Sequence, residues 1–187
     1  LKRCKPKIII AEKNFISQIS DIAINNLEFN NLLSESENNI LKSELGSIPS
    51  DAIAYIMFTS GSTGEPNGVA VAHSSILHFI NWAKDEYNLN EDNIIAGLNP
   101  LYFDNSVFDT YTSLLNGATL VSLPKKLVQD PNKAMKILEK NRITIWFSVP
   151  SLIVYYLRFK SIKKHSLSSL KYIVFGGEGF PKSKLLE

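Results

Sequence analysis

The chain has 187 residues, 44% of them hydrophobic and 20% charged, with a formal net charge of +2. That balance describes a globular core rather than a disordered or fibrous chain, and so small a net charge points to neither a nucleic-acid partner nor an anionic membrane. Cys4, the single cysteine, excludes an internal disulfide and forms no metal cluster with three scattered histidines; with no apolar run near the ~20 residues that cross a bilayer and no signal-peptide pattern, a cytoplasmic protein without membrane insertion is expected.

Residues 7–11, Lys-Ile-Ile-Ile-Ala, are β-branched and predict a strand. Residues 12–50 are rich in Asn, Ser and Glu. They read as an irregular lead-in with a short helix near Phe15 to Ile19, so that 1–50 hold one strand and belong to the same domain as the core over 51–187. Residues 54–58, Ala-Tyr-Ile-Met-Phe, predict a buried strand that breaks into Thr59-Ser60-Gly61-Ser62-Thr63-Gly64. Gly61, Gly64 and Gly68 fall in this window, where glycine admits positive φ and close approach to a ligand. Successive N–H groups in such a turn can bind an anion, and Ser60, Ser62 and Thr63 add neutral donors. A strand opening into such a loop is, chemically, a phosphate cradle. It is not a Walker A loop, because no Lys-Ser or Lys-Thr follows Gly64 or Gly68. It is not a nucleophile elbow, because Gly-x-Ser-x-Gly is absent.

Residues 69–72 predict a short strand. Ser74 and Ser75 are candidate N-caps for a helix of about three turns carrying Ile76, Phe79, Ile80, Ala83 and Tyr87. His73 adjoins this region, and a lone histidine there reads as structural. Residues 94–98 predict a strand. Val107, Phe108, Tyr111, Leu114 and Leu115 then predict the apolar stripe of a helix, with Gly117 as its terminal glycine. Residues 118–123 predict a strand, and Asp130-Pro131 an N-cap and first position of a helix with Ala134, Met135 and Leu138 inward. Residues 143–149 predict a strand, Pro150-Ser151 a helix start, and residues 170–175 a last strand that ends at Gly176-Gly177-Glu178. Strand and helix alternate from Ile94 onward, which predicts an α/β fold with a largely parallel sheet flanked by helices. Ligands in such sheets sit at the carboxyl ends of strands, where Thr59 to Gly64, Asp104, Phe147 to Ser151 and Gly176 to Glu178 all fall in this reading. The first residue is Leu1, and residues 181–187 read as the first turns of a continuing helix with Pro181 at its first position. The chain therefore reads as part of a longer protein.

The run Thr-Ser-Gly-Ser-Thr-Gly-x-Pro-x-Gly-Val from Thr59 resembles the signature of the acyl-adenylate-forming (AMP-binding) superfamily. Phe103-Asp104-Asn105-Ser106 resembles the motif of its amino-acid-activating branch. The continuation through Asp109, Tyr111, Ser113 and Leu114, with Trp146-x-Ser148-x-Pro150-Ser151 and Phe175-Gly176-Gly177-Glu178, is most similar to D-alanine–D-alanyl carrier protein ligases and peptide-synthetase adenylation domains. The resemblance covers residues 51 to about 181 and implies part of the large amino-terminal domain of such an enzyme.

By that resemblance Thr59, Ser60, Gly61, Ser62, Thr63, Gly64, Asn67 and Gly68 hold the phosphates of ATP. Asn67 stands where the family usually has lysine. Asp104 pairs with the substrate ammonium, since a buried ammonium requires a partner charge; read without the resemblance, Asp104 is an N-cap. Asn105, Phe108, Phe147, Val174 and Gly176 line the side-chain pocket, with a bulky Phe147 implying a pocket that is small or differently shaped, and Gly177 and Glu178 lie on the adenine side. The implied reaction uses ATP and Mg²⁺ to activate an amino acid, D-alanine among the candidates, as an aminoacyl adenylate. The acyl group then passes to the phosphopantetheine thiol of a carrier protein. No catalytic or metal-binding residue falls within these 187 residues, because the family's later motifs and its catalytic lysine would follow Glu187, so the chain by itself is expected to be inactive. Two rival readings are an acyl- or aryl-CoA ligase, which Asp104 opposes, and a degenerate, non-catalytic nucleotide-binding protein, which Asn67 favours.

Overall fold

The computed structural model describes residues 6–19, 25–28, 48–59 and 64–185. Residues 1–48 and 49–187 form two compact units. In the first, β1 (Ile8–Ala11) pairs in parallel with β2 (Asn25–Glu28), and α1 (Lys13–Ile16) runs on into a 3₁₀ turn, Ser17–Ile19. The strand at 25–28 falls in the Asn-rich stretch read from sequence as irregular, because inter-strand backbone bonds need no particular side chains.

The second unit is built on a four-stranded, wholly parallel sheet in the order β6-β5-β7-β8, with β5 Ile94–Gly97, β6 Thr119–Ser122, β7 Ile145–Ser148 and β8 Tyr172–Phe175. The strands alternate which face each side chain meets. Ile95 and Ile145 pack with Ala83, Leu89, Phe108 and Ala118 on one side. Ala96 and Trp146 pack with Ala134, Met135, Leu138, Ile153 and Tyr156 on the other. The first layer holds α2 (His73–Tyr87) and α3, residues 105–115. The second holds α4 (Lys125–Val128), α5 (Pro131–Lys140), α6 (Pro150–Arg158) and α7 (Ser161–Lys164). Gly97 lets β5 and β6 close at their ends: a Cβ there would stand 3.0 Å from Ser122 Cα and 3.1 Å from Leu120 Cδ1.

Several local signals act as read. Asp130 accepts from the Lys133 N–H at 3.1 Å and Pro131 takes the first helical position of α5. Gly117 has φ +72° just past α3, and the Ala118 N–H donates to the Ser113 carbonyl at 2.9 Å. Three readings change. The signature strand, β3 (Ile53–Thr59), is not in the parallel sheet but folds back on β4 (Asn67–Ala72) as an antiparallel hairpin. Ala54, Tyr55, Met57 and Val71 face Ile76, Ile80 and Val107, while Ile56 and Phe58 are exposed, so the run is one-sided rather than buried. Thr59, the last residue of β3, therefore does not stand at a strand end of the main sheet.

Helix α2 runs a full 15 residues and begins at His73, without a serine cap. Its first N–H groups are satisfied by the preceding turn instead: His73 donates to the Ala52 carbonyl at 3.0 Å and Ser74 to Ser50 at 2.8 Å. After Pro181 the chain forms a 3₁₀ turn, Lys182–Lys184, and residues 186–187 lie outside the described residues.

The third change concerns α3. Asn105–Val107 is followed by a π-helical turn, Phe108–Thr112, and then by Ser113–Leu115. The wider turn rotates the stripe read from sequence. Leu114 and Leu115 are 63% and 59% exposed, whereas Ser106, Asp109, Thr112 and Ser113 are buried. The two buried threonine and serine hydroxyls at the end of the turn are met locally, with Thr112 Oγ1 donating to the Phe108 carbonyl and Ser113 Oγ to the Asp109 carbonyl. Such π turns gather at functional sites.

Candidate active site

Two cavities meet at Asp104 and Asn105. The larger, of about 860 Å³, is lined by the segments that follow all four strands of the sheet: Asn99 and Tyr102 to Asn105 after β5, Leu123 and Lys125 after β6, Val149, Ser151 and Leu152 after β7, and Gly177 and Glu178 after β8. These are the carboxyl ends of parallel strands, where α/β proteins bind ligands. Glu178 is anchored within it, its Oε2 accepting from the Ser151 N–H at 3.3 Å at the start of α6. Gly177 has φ +85°, a conformation that glycine takes without strain.

The smaller cavity, about 290 Å³, is lined by Asp104, Asn105, Val107 and Phe108 of α3, Phe147 of β7, and Tyr55, Val71, Ser75, Ile76 and Phe79 from the hairpin and α2. Phe108 and Phe147 stand edge to face with ring centroids 5.0 Å apart. Val174 pairs in register with Phe147 across β7 and β8. A Cβ on Gly176 would come 3.7 Å from the Phe147 ring. Of the six residues read as meeting the substrate, Asp104, Asn105, Phe108 and Phe147 line this cavity, and Val174 and Gly176 adjoin Phe147.

Asp104 has helical backbone angles and its side chain makes no cap hydrogen bond. Its carboxylate is exposed toward the two cavities. Burial first, and then the Asp104 charge, raise the Tyr55 hydroxyl above its ordinary pKa, so Tyr55 stays a neutral phenol within electrostatic reach of Asp104. Tyr55, Val71, Ser75, Ile76 and Phe79 were not singled out in the sequence. Tyr55 and Val71 signal only an inward face of the hairpin, and Ile76 and Phe79 only the helical spacing of α2, which reveal faces but not what they face.

Of the phosphate loop, Ser60, Gly61, Ser62 and Thr63 lie outside the described residues. Gly64 has φ +81°, and Asn67 and Gly68 open β4 opposite Thr59 and Phe58. Among the described loop residues, Thr59, Gly64, Asn67 and Gly68 line neither cavity, and His73 lines neither. Among the described residues no group of three or more His, Cys, Asp or Glu is placed to hold a metal ion, and no helix is long and apolar enough to cross a membrane.

A family profile described as AMP-binding enzyme matches residues 1–186. The chain belongs to this family. Within it, the chain is 35% identical over 141 residues to an L-proline–[L-prolyl-carrier protein] ligase of Streptomyces coelicolor, covering 75% of this chain and 26% of that protein. It is 32% identical over 179 residues to a D-alanine–D-alanyl carrier protein ligase of Bacillus cytotoxicus, covering 90% of this chain and 34% of that one. The chain thus spans between a quarter and about a third of the curated relatives it matches. Among solved structures, McyG A-PCP complexed with phenylalanyl-adenylate superposes with a TM-score of 0.83 at 20% identity, covering 96% of this chain and 30% of that one. At that identity the match speaks for the fold of this AMP-binding family member: an α/β domain with a parallel sheet and flanking helices.

Proposed function

We propose that these residues form the amino-acid pocket and part of the nucleotide site of an enzyme that adenylates an amino acid and passes it to a carrier protein. The observation that carries this reading is Asp104. It is a carboxylate without a capping role, placed where a narrow aromatic cavity meets the wide one. An anion there suits a substrate with an ammonium group and is of no use to a fatty or aryl acid. The relatives named for L-proline and D-alanine carrier protein ligases support the same reading.

In this reading Asp104 holds the α-ammonium, and the Phe108–Phe147 pair closes the space for the side chain. A cavity of about 290 Å³ suits a small residue, with D-alanine first and proline second in a substrate panel. The 59–68 loop would hold the phosphates of ATP, which supplies the α-phosphorus that the substrate carboxylate attacks as pyrophosphate leaves. The carrier's phosphopantetheine thiol then takes the acyl group as a thioester, and AMP leaves. The contribution of these residues is positioning and the stabilisation of phosphate charge. The described residues offer no carboxylate cluster for Mg²⁺; it would arrive on the triphosphate oxygens. Pyrophosphate exchange by a full-length protein bearing this sequence tests the proposal. Exchange driven by a small amino acid supports it, exchange with fatty or aryl acids transfers the assignment to an acyl ligase, and no exchange supports a non-catalytic nucleotide binder.

Two further outcomes are expected. The 187-residue chain should fold yet form no measurable adenylate; detecting product from the purified chain would refute that. Asn67→Lys in the full-length protein should lower the KM for ATP several-fold, because hydrogen bonds to charged groups exceed neutral ones by roughly 1 kcal/mol. An unchanged or higher KM would show that another cation fills the role or that the loop does not meet the phosphates.

A further inference from the structure

Asp109 is a carboxyl group that the proposed chemistry does not use. It lies 2% exposed in the π turn of α3. Its Oδ2 accepts from the Asn99 backbone N–H at 3.1 Å and from Asn99 Nδ2 at 2.9 Å. Its Oδ1 is buried with no hydrogen-bond partner among the described residues. Asn99 Nδ2 also donates to the Phe147 carbonyl at 3.0 Å. One carboxyl therefore couples three segments: the π turn, the tip of β5 and the last residues of β7. The first and third carry Phe108 and Phe147, whose rings share the smaller cavity with Asp104.

Burying a polar oxygen without a partner is unfavourable, and an apolar residue of similar size would avoid it. Residues kept against local stability gather at functional sites. The arrangement earns its place if it fixes something that packing alone leaves loose. Asn99 commits both hydrogens of its amide to Asp109 and Phe147, so it ties the π turn to the end of β7.

We infer that Asp109 is a positioning residue of the amino-acid pocket, holding Asn99 so that the Phe108–Phe147 wall keeps the shape that receives the substrate side chain. The inference rests on reading the smaller cavity as that pocket, and two measurements separate the two claims. The first needs no substrate. In this chain, 4-fluorophenylalanine placed at position 147 gives a fluorine resonance that reports the wall, and the same label at Phe159, exposed in the turn after α6, serves as a remote reference. Asp109→Leu should move the 147 resonance and leave the 159 resonance in place. Asn99→Ala should do the same, and the double variant should add nothing further, as expected for one shared chain of contacts. Asp109→Asn, which keeps an oxygen for Asn99, should restore the wild-type resonance. An unmoved 147 resonance overturns the inference. If Asp109→Leu fails to fold, Asn99→Ala decides it by the same criterion.

The second measurement is kinetic, in a full-length protein bearing the sequence. Asp109→Leu should raise the KM for the amino acid about tenfold or more, the size a misfitted apolar contact carries in a specificity pocket. The KM for ATP and kcat should stay near wild type. A fall in kcat with the amino-acid KM unchanged, the pattern of a merely structural residue, overturns the inference. Absence of amino-acid-dependent exchange in the wild type sinks the proposed function instead and leaves the fluorine result to decide the role of Asp109.

Discussion

Asp104→Asn in a full-length protein bearing this sequence is expected to lower kcat/KM for the amino acid by about thirtyfold or more. The figure follows from the environment of the charge. Ion pairs open to water are worth less than about 1 kcal/mol, whereas removing one partner of a desolvated pair costs about 2–5 kcal/mol. Asp104 is exposed in the free chain, so the lower end applies, reached when a bound ammonium sits between the carboxylate and the Phe108–Phe147 wall and displaces water. At 1.36 kcal/mol per decade, about 2 kcal/mol is about one and a half decades. The KM for ATP should hardly change, because this carboxylate does not meet phosphate in the proposed pose. Stability should hardly change either: Asn caps as well as Asp, and the Asp104 side chain makes no cap bond to lose. A des-amino analogue of the substrate sharpens the comparison, since it should favour the Asn variant relative to wild type. Wild-type kinetics in the variant with an amino acid would remove the main support for an amino-acid-activating enzyme.

What could be read from the sequence divides along physical lines. Strands β5 and β7 are apolar runs bounded by turns and pack on both faces, and β8 is equally apolar though largely exposed, so hydropathy alone finds them. Asp130-Pro131 and Gly117 act through bonds within a few residues and were equally legible. The hairpin was half legible. Ile56 and Phe58 are as apolar as Tyr55 and Met57 yet point to the exposed side, and which face is covered depends on α2, distant contacts that local pattern does not encode. Helix α3 was misphased because its buried side is polar: Asp109, Thr112 and Ser113 look like a solvent face until the π turn and their backbone partners are seen. For the site, the resemblance named Asp104, Asn105, Phe108 and Phe147, and the structure places these four around one cavity. It gave no hint that Tyr55 and Phe79 complete the wall, because their contribution comes from elements packed across the chain.

Asp109 should make the stability of the 187-residue chain fall as the pH rises through the neutral range. Burial raises its carboxyl to about 7 from the ordinary value of 3.8, against hydrogen bonds from Asn99 that favour the charged form. The folded-state pKa thus lies above the unfolded one. Between the two values the unfolded chain releases this proton while the native chain keeps it, so folding is favoured most below about pH 4. The advantage is lost progressively up to about pH 7 and is constant beyond. With 1.36 kcal/mol per unit, the full loss is on the order of 4 kcal/mol, and more than half of it falls above pH 5. Asp130 and Glu139 titrate elsewhere. Hydrogen bonds from Lys133 and from His165, respectively, hold them below the usual carboxylate range, so their stabilisation is complete by about pH 5 and does not mask the decline. Urea unfolding at intervals from pH 5 to 8 should therefore show a midpoint that drops in wild type and drops much less in Asp109→Asn, which has no proton to lose in this window. A midpoint that is flat or rising in wild type, or an equal drop in both proteins, would mean that Asp109 is already ionised in the folded chain and that its second oxygen has found a partner.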